Sequence, residues 1–217
     1  MKPSLTQVFS GTLAAVSFAL GGCTSQQLLS PLARAFGVPP ESELAVCRAA
    51  YARLQNRLPV SKVLMEHVMY APGHDRQWRS DMAQALAQEA GARMKVRFEA
   101  ASRPPDVSFP QKMYHNQLRY LWDRSRDYAR SIKAVPSGID YLCFVEVFVG
   151  PQGKVAAIQV YVFESQGQLA YIRLYNSAHF GNDLSPEGDA AIQFVKGSLL
   201  DIQRLAPEQA FPPYGIG

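Results

Sequence analysis

The sequence predicts an α/β protein, a mixed sheet of about five strands with helices packed on it, in the order β-α-β-α-β-β-β-α after an N-terminal helix. Three observations predict it. Residues 41–57 and 111–134 repeat apolar side chains at three- and four-residue steps, the helical period. Residues 141–149, 155–163 and 169–176 are strand-forming runs parted only by short glycine-containing turns, the pattern of antiparallel hairpins. Between the first helix and the hairpins, short strand-like runs alternate with helical ones. A sheet with helices on it is the economical way to bury both kinds of face.

In residues 41–57, Leu44, Cys47, Ala50, Tyr51 and Leu54 fall on one helical face, and Pro59 stops the helix. Residues 62–69 read as a strand. The Ala71-Pro72-Gly73 turn follows, and Asp75 is placed to cap a helix running to about Glu89, with Trp78, Met82 and Leu86 inward and Gly91 as its C-terminal cap. Residues 94–98 alternate as a second strand, with Met94, Val96 and Phe98 on one side. In residues 111–134, Tyr114, Leu118, Leu121, Ser125, Tyr128 and Ile132 face inward. Arg119, Asp123, Arg126, Asp127 and Arg130 face out, at the spacing of ion pairs along a helix. After the three hairpin strands, Ser185-Pro186-Glu187 opens a last helix to about Leu205, with serine as cap and proline in the first turn. The tail from Phe211 is extended.

Ahead of this domain, residues 1–7 are polar and carry Lys2, and residues 8–20 are mostly apolar. That is the length of a secretory signal core, short of the roughly 20 residues a membrane-spanning helix needs. Leu20-Gly21-Gly22-Cys23 then stands where cleavage belongs, and it resembles the lipobox of bacterial lipoproteins. The resemblance implies cleavage before Cys23, a thioether-linked diacylglycerol on its sulfur and a further palmitate-type acyl chain on its amine. Two or three chains anchor stably where one does not. Thr24 follows the cysteine where an acid would imply retention at the inner membrane, so the resemblance points to the outer membrane, facing the periplasm. The expected organisation is a signal peptide over residues 1–22, a lipidated tether over 23–40 and one periplasmic domain over 41–217. Beyond the lipobox, the order of elements from about Val60 to Leu205 resembles a group of periplasmic lipoprotein domains. They include the penicillin-binding-protein activators, the curli-secretion lipoprotein, a polysaccharide-export ring lipoprotein and the N-terminal domain of the Tol-system propeller protein. The hairpin Glu164-Ser165-Gln166-Gly167-Gln168, followed by Leu169-Ala170-Tyr171, is the nearest echo of their strand-turn.

The net charge of +4, one unit of it on Lys2, is spread without a basic run, so no nucleic-acid partner is expected. With Cys23 assigned to lipid, Cys47 and Cys143 remain. Two readings stand, a disulfide in an oxidising compartment or two inert core thiols. His67, His74, His115 and His179 have no metal-ligand spacing, and no nucleophile motif appears, so neither a metal, a cofactor nor an enzymatic activity is expected. The alternating residues of the last two strands suggest one mixed surface of Tyr161, Tyr171, Arg173 and Tyr175, with Glu146 near it, and tyrosine and arginine are the residues of protein interfaces. Cover by another element is the competing expectation for that face. The resulting expectation is a lipid-anchored protein that binds an envelope partner or assembles with its own copies. The alternative is a periplasmic protein that binds or hydrolyses a small molecule or glycan.

Overall fold

The structure, a computed structural model, describes residues 39–70, 76–102, 117–132, 135–150, 152–181, 183–186 and 189–211. The lipobox, most of the tether, the turn at 71–75 with His74 and Asp75, and the loop at 103–110 with the following His115 lie outside the described residues.

The fold is α/β, with a six-stranded mixed sheet. Helix α1 (Glu41–Arg57) buries the five residues its periodicity selects, starts with Glu41 and Glu43 in its first turn and ends with Arg57. Those charges complement the helix dipole. Strand β1 (Lys62–Tyr70) follows. The expected helix from Asp75 does not begin there. Residues Arg76–Trp78 form a short strand, β2, antiparallel to β1, and helix α2 spans Ser80–Met94. Gly91 lies inside α2 instead of capping it. A Cβ at this position would stand 3.1 Å from the Val96 carbonyl oxygen, so glycine serves a close approach, and the helix ends at Lys95 with φ 57°. Strand β3 (Arg97–Ala100) therefore starts three residues later than expected.

Helix α3 spans Gln117–Ser131. Strands β4 (Tyr141–Val149), β5 (Val155–Glu164) and β6 (Leu169–Asn176) form the hairpins the sequence predicts. A one-turn helix α4 (Ser177–Phe180) precedes the last described helix, α5 (Asp189–Asp201), which ends short of the expected Leu205.

The sheet runs β2-β1-β4-β5-β6, with β3 also pairing to β1. Strands β3 and β4 both run parallel to β1, on opposite sides of it. The chain therefore crosses over twice, outward through α2 and back through α3. Two crossovers of the same hand in opposite directions place their helices on opposite faces of the sheet. Contacts agree: Tyr128 of α3 packs on Phe144 and Phe163, while α2 packs beside α5 and is tied to it by Lys196–Glu89. Helix α1 flanks edge strand β6. It reaches α3 through Glu43–Arg126, the β5–β6 turn through Arg53–Glu164, and the end of α5 through Tyr51.

Candidate functional site

Cross-strand register decides what became of the expected surface. Tyr161 lies opposite Ile172, and Tyr171 opposite Val162, so the two tyrosines point to opposite faces of the sheet. Both are completely buried. The Tyr161 hydroxyl donates to Gln159 Oε1 at 2.5 Å, and that of Tyr171 to the Ser198 carbonyl on α5 at 2.9 Å. Arg173 donates from Nε to the Tyr171 hydroxyl, and Tyr175 packs edge-on against Phe194. The four residues do not form one exposed surface. Arg173 and Tyr175 remain half-buried. The outer residues of α3 pair among themselves, Arg126 and Arg119 with Asp123, and Arg130 with Asp127.

Cys47 and Cys143 are free, buried thiols. Cys47 sits on α1 within 3.8 Å of the Gln168 amide nitrogen, and burial pushes its thiol up to about 12. Cys143 lies in β4 between Met65 and Val162 and is raised too, by burial and then by Glu66. Of the two readings, this geometry is that of core thiols. His179 is exposed and paired with Asn176. Among the described residues no group of His, Cys, Asp and Glu could hold a metal ion.

The densest polar chemistry is a buried network that places α3 on the sheet. Glu146 sits in the middle of the apolar strand β4 and is 0 % exposed. Its Oε1 accepts from the Tyr128 hydroxyl at 2.6 Å, the Tyr70 hydroxyl at 3.0 Å and Arg124 Nε at 3.0 Å. Arg124 also donates to the Tyr70 hydroxyl. Its guanidinium lies 5.4 Å from the Tyr70 ring centre and 5.7 Å from those of Tyr120 and Tyr128. Arg124 is reached by the period of its helix, three residues after Leu121 and four before Tyr128. Burial pulls the guanidinium's proton affinity down, but Glu146 and the tyrosines hold it above the ordinary arginine range. Burial, with Glu146 next, pushes the Tyr70 and Tyr128 hydroxyls up, so both remain protonated donors. The tyrosines therefore stay donors near neutral pH, and the network holds an orientation.

Next to it, β1 carries two buried titratable residues in succession. Glu66, opposite Phe144, lies on the α3 face; His67, opposite Val145, lies on the other. They cannot form an acid–histidine site with each other. Burial pushes the Glu66 carboxyl from 4.5 up to about 7, with Arg76 pulling the other way. Burial, then Arg79, lowers the His67 imidazole from 6.5 to about 4, with Asp81 opposing. His67 Nδ1 has no hydrogen-bond partner.

The two shifts act on stability with opposite signs. The folded state holds the Glu66 proton more tightly than the unfolded chain, so this contribution is present below about 4.5 and is lost as pH rises to about 7. The folded state resists protonating His67, so that contribution is present above 6.5 and is lost as pH falls towards 4. Each shift corresponds to roughly 3 kcal/mol at about 1.4 kcal/mol per unit, and the two slopes nearly cancel between them. Glu66→Gln is expected to expose the His67 slope. In urea titrations across pH, the variant should gain on the wild type above pH 7 and lose stability steeply between pH 6 and 4. A Glu66→Gln profile parallel to the wild type would sink this assignment.

The sequence matches no family model and no curated protein. Among solved structures, TolB from Acinetobacter baumannii aligns with 66% of this chain and 28% of its own, at 12% identity and a TM-score of 0.32. The chain thus spans little more than a quarter of that protein. Lipoprotein GNA1162 from Neisseria meningitidis aligns with 66% of this chain and 96% of its own, at 12% identity and a TM-score of 0.30. A third neighbour, an uncharacterized protein, reaches 0.27 at 12% identity over 66% of this chain and 86% of its own. Likenesses at these scores carry no argument, and the site rests on the chain's own geometry.

Proposed function

We propose that the protein is a lipid-anchored envelope protein, held by acyl chains on Cys23 at the outer membrane with its domain in the periplasm, where it binds another envelope protein or copies of itself. The observation that carries this reading is Leu20-Gly21-Gly22-Cys23, placed directly after a short positive segment and a 13-residue mostly apolar core. No helix among the described residues is long and apolar enough to cross a membrane, so in this reading the lipid is the attachment. Residues 24–38 separate the lipid from the start of the described domain, a tether that lets the domain stand off the bilayer. The network around Glu146 supports a binding role in which the α3 face is held rigid, because a prearranged surface loses less freedom on association.

Metabolic labelling with an alkyne fatty acid tests the anchor. The wild-type chain should take up label, fractionate with outer membranes and have the mass of a chain starting at Cys23 plus its lipid. Cys23→Ala should lose the label and retain the mass of residues 1–22. Equal labelling of the variant, or cleavage at another site, would overturn the anchor. Crosslinking in intact envelopes followed by mass spectrometry tests the partner; recovery of the chain crosslinked to no protein and to no copy of itself would overturn the binding role.

A further inference from the structure

Three buried polar atoms on the α3 face of the sheet stand without a protein partner. Glu146 gives Oε1 three hydrogen bonds, yet its other oxygen, Oε2, has none. Glu66 Oε2 also has none, and neither does the Trp78 indole Nε1. Register places their residues in adjacent rows of one face. Trp78 lies opposite Val68, and Val68 opposite Glu146, which makes one row across three strands. Glu66 stands two residues before Val68 on β1, on the same face and one row over. Both carboxylates belong to residues more than nine-tenths buried, at 0 % and 7 % exposure.

Such atoms are rare in folded proteins, and where they persist an ordered small molecule usually completes their bonding. The count of donors and acceptors selects which. Two carboxylate oxygens ask for two hydrogens, and one indole N–H asks for a lone pair. An ammonium group donates three hydrogens and accepts none, so Trp78 would stay unsatisfied. A hydroxyl group has one hydrogen to give, so one carboxylate would stay unsatisfied. Water has two of each. When Glu66 takes up its proton it becomes a donor, and water answers by accepting from it. No other candidate of this size serves both charge states.

We propose that Glu66 Oε2, Glu146 Oε2 and Trp78 Nε1 form an internal hydration site, occupied by a long-lived water molecule that links β1, β2 and β4 beneath α3. The water stands between a carboxyl that titrates near neutrality and one locked in an ion pair, and it gives the Glu66 proton a hydrogen-bonded neighbour inside the sheet.

Water–protein cross-relaxation by NMR on the full chain, labelled with nitrogen-15, tests it. The Trp78 indole proton should show a cross-peak to water with the sign of a residence time beyond nanoseconds, and Trp78→Phe identifies that peak by removing it. Glu66→Leu should weaken the peak several-fold while the amide fingerprint of the rest of the domain stays in place. Should Glu66→Leu not fold, Glu66→Gln, which keeps a polar contact, should fold and keep the peak. An indole proton without a water contact would overturn the site, as would a peak untouched by Glu66→Leu or lost in Glu66→Gln. So would native mass spectrometry showing a co-purified amine or sugar whose removal changes the Trp78 signal.

Discussion

Replacing Arg124 by alanine is expected to destabilise the domain by about 3–5 kcal/mol, the usual cost of removing one member of a buried ion pair. The reason lies in what the substitution leaves behind. Glu146 has no exposure, and Arg124 is the cation it pairs with. Without the guanidinium, a carboxylate must either stay charged in an apolar strand or take up a proton. Three tyrosine rings lose their cation at the same time. Glu146→Ala should cost a similar amount, because it strands the guanidinium and takes the acceptor from the Tyr70 and Tyr128 hydroxyls. The double substitution to apolar residues of similar volume should cost far less than the two single losses added, since neither charge is then orphaned. Urea unfolding of the four proteins at one pH checks this. Additive losses would mean that the two residues act separately and that the network does not hold α3 as a unit.

Phe211→Ala is expected to cost about 3 kcal/mol, the low end for a buried phenylalanine. Phe211 is buried between two rings, edge-on to Tyr51 at 6.1 Å and stacked on Trp122 at 6.3 Å. It belongs to a segment that passes from α5 over α1, where Tyr51 and Gln55 donate to the carbonyls of Ile202 and Leu205. Losing the ring should open Trp122 to water. With Trp78 replaced by phenylalanine, the remaining tryptophan emission should shift to the red in the variant well before global unfolding in urea. Emission and unfolding that change together, with an unaltered midpoint, would show that the segment is a passive tail.

Helix α1 and the hairpins of β4, β5 and β6 were legible because each is decided locally. A helical stripe or an alternating run closed by Gly153 or Gly167 needs no knowledge of the rest of the chain. Gly167 shows both reasons for its identity: its φ is 87°, and a Cβ there would stand 3.1 Å from the Ala129 carbonyl oxygen of α3. Strand β2 was not legible. Three residues make no alternation, and Asp75 ahead of an apolar run imitates a helix cap, while β1 supplies the pairing that decides the matter. The surface of Tyr161, Tyr171, Arg173 and Tyr175 failed for a related reason. Alternation within each strand was read correctly, but the phase between β5 and β6 is set by register, which shifts between Val162 and Phe163. The sequence did carry one mark of the polar network. An acid alone among Tyr141-Leu142-Cys143-Phe144-Val145-Glu146-Val147-Phe148-Val149 has to find a cation indoors. Arg124 was harder to pick out, since the same helix carries Arg119, Arg126 and Arg130 on its outer side.

Helix α1 has a consequence for the order of events as the chain is made. The Tyr51 hydroxyl finds its acceptors 151 and 154 residues further on, and Arg53 finds Glu164 111 residues further on. In a chain delivered N-terminus first, α1 is the earliest of the described elements to emerge and among the last of them to find its place. Its apolar stripe, with Tyr51 and Leu54, waits uncovered until β6 and the end of α5 arrive. Such distant closures slow folding. During that interval α1 is the segment most open to chaperones, and in the proposed anchored form it waits beside the membrane.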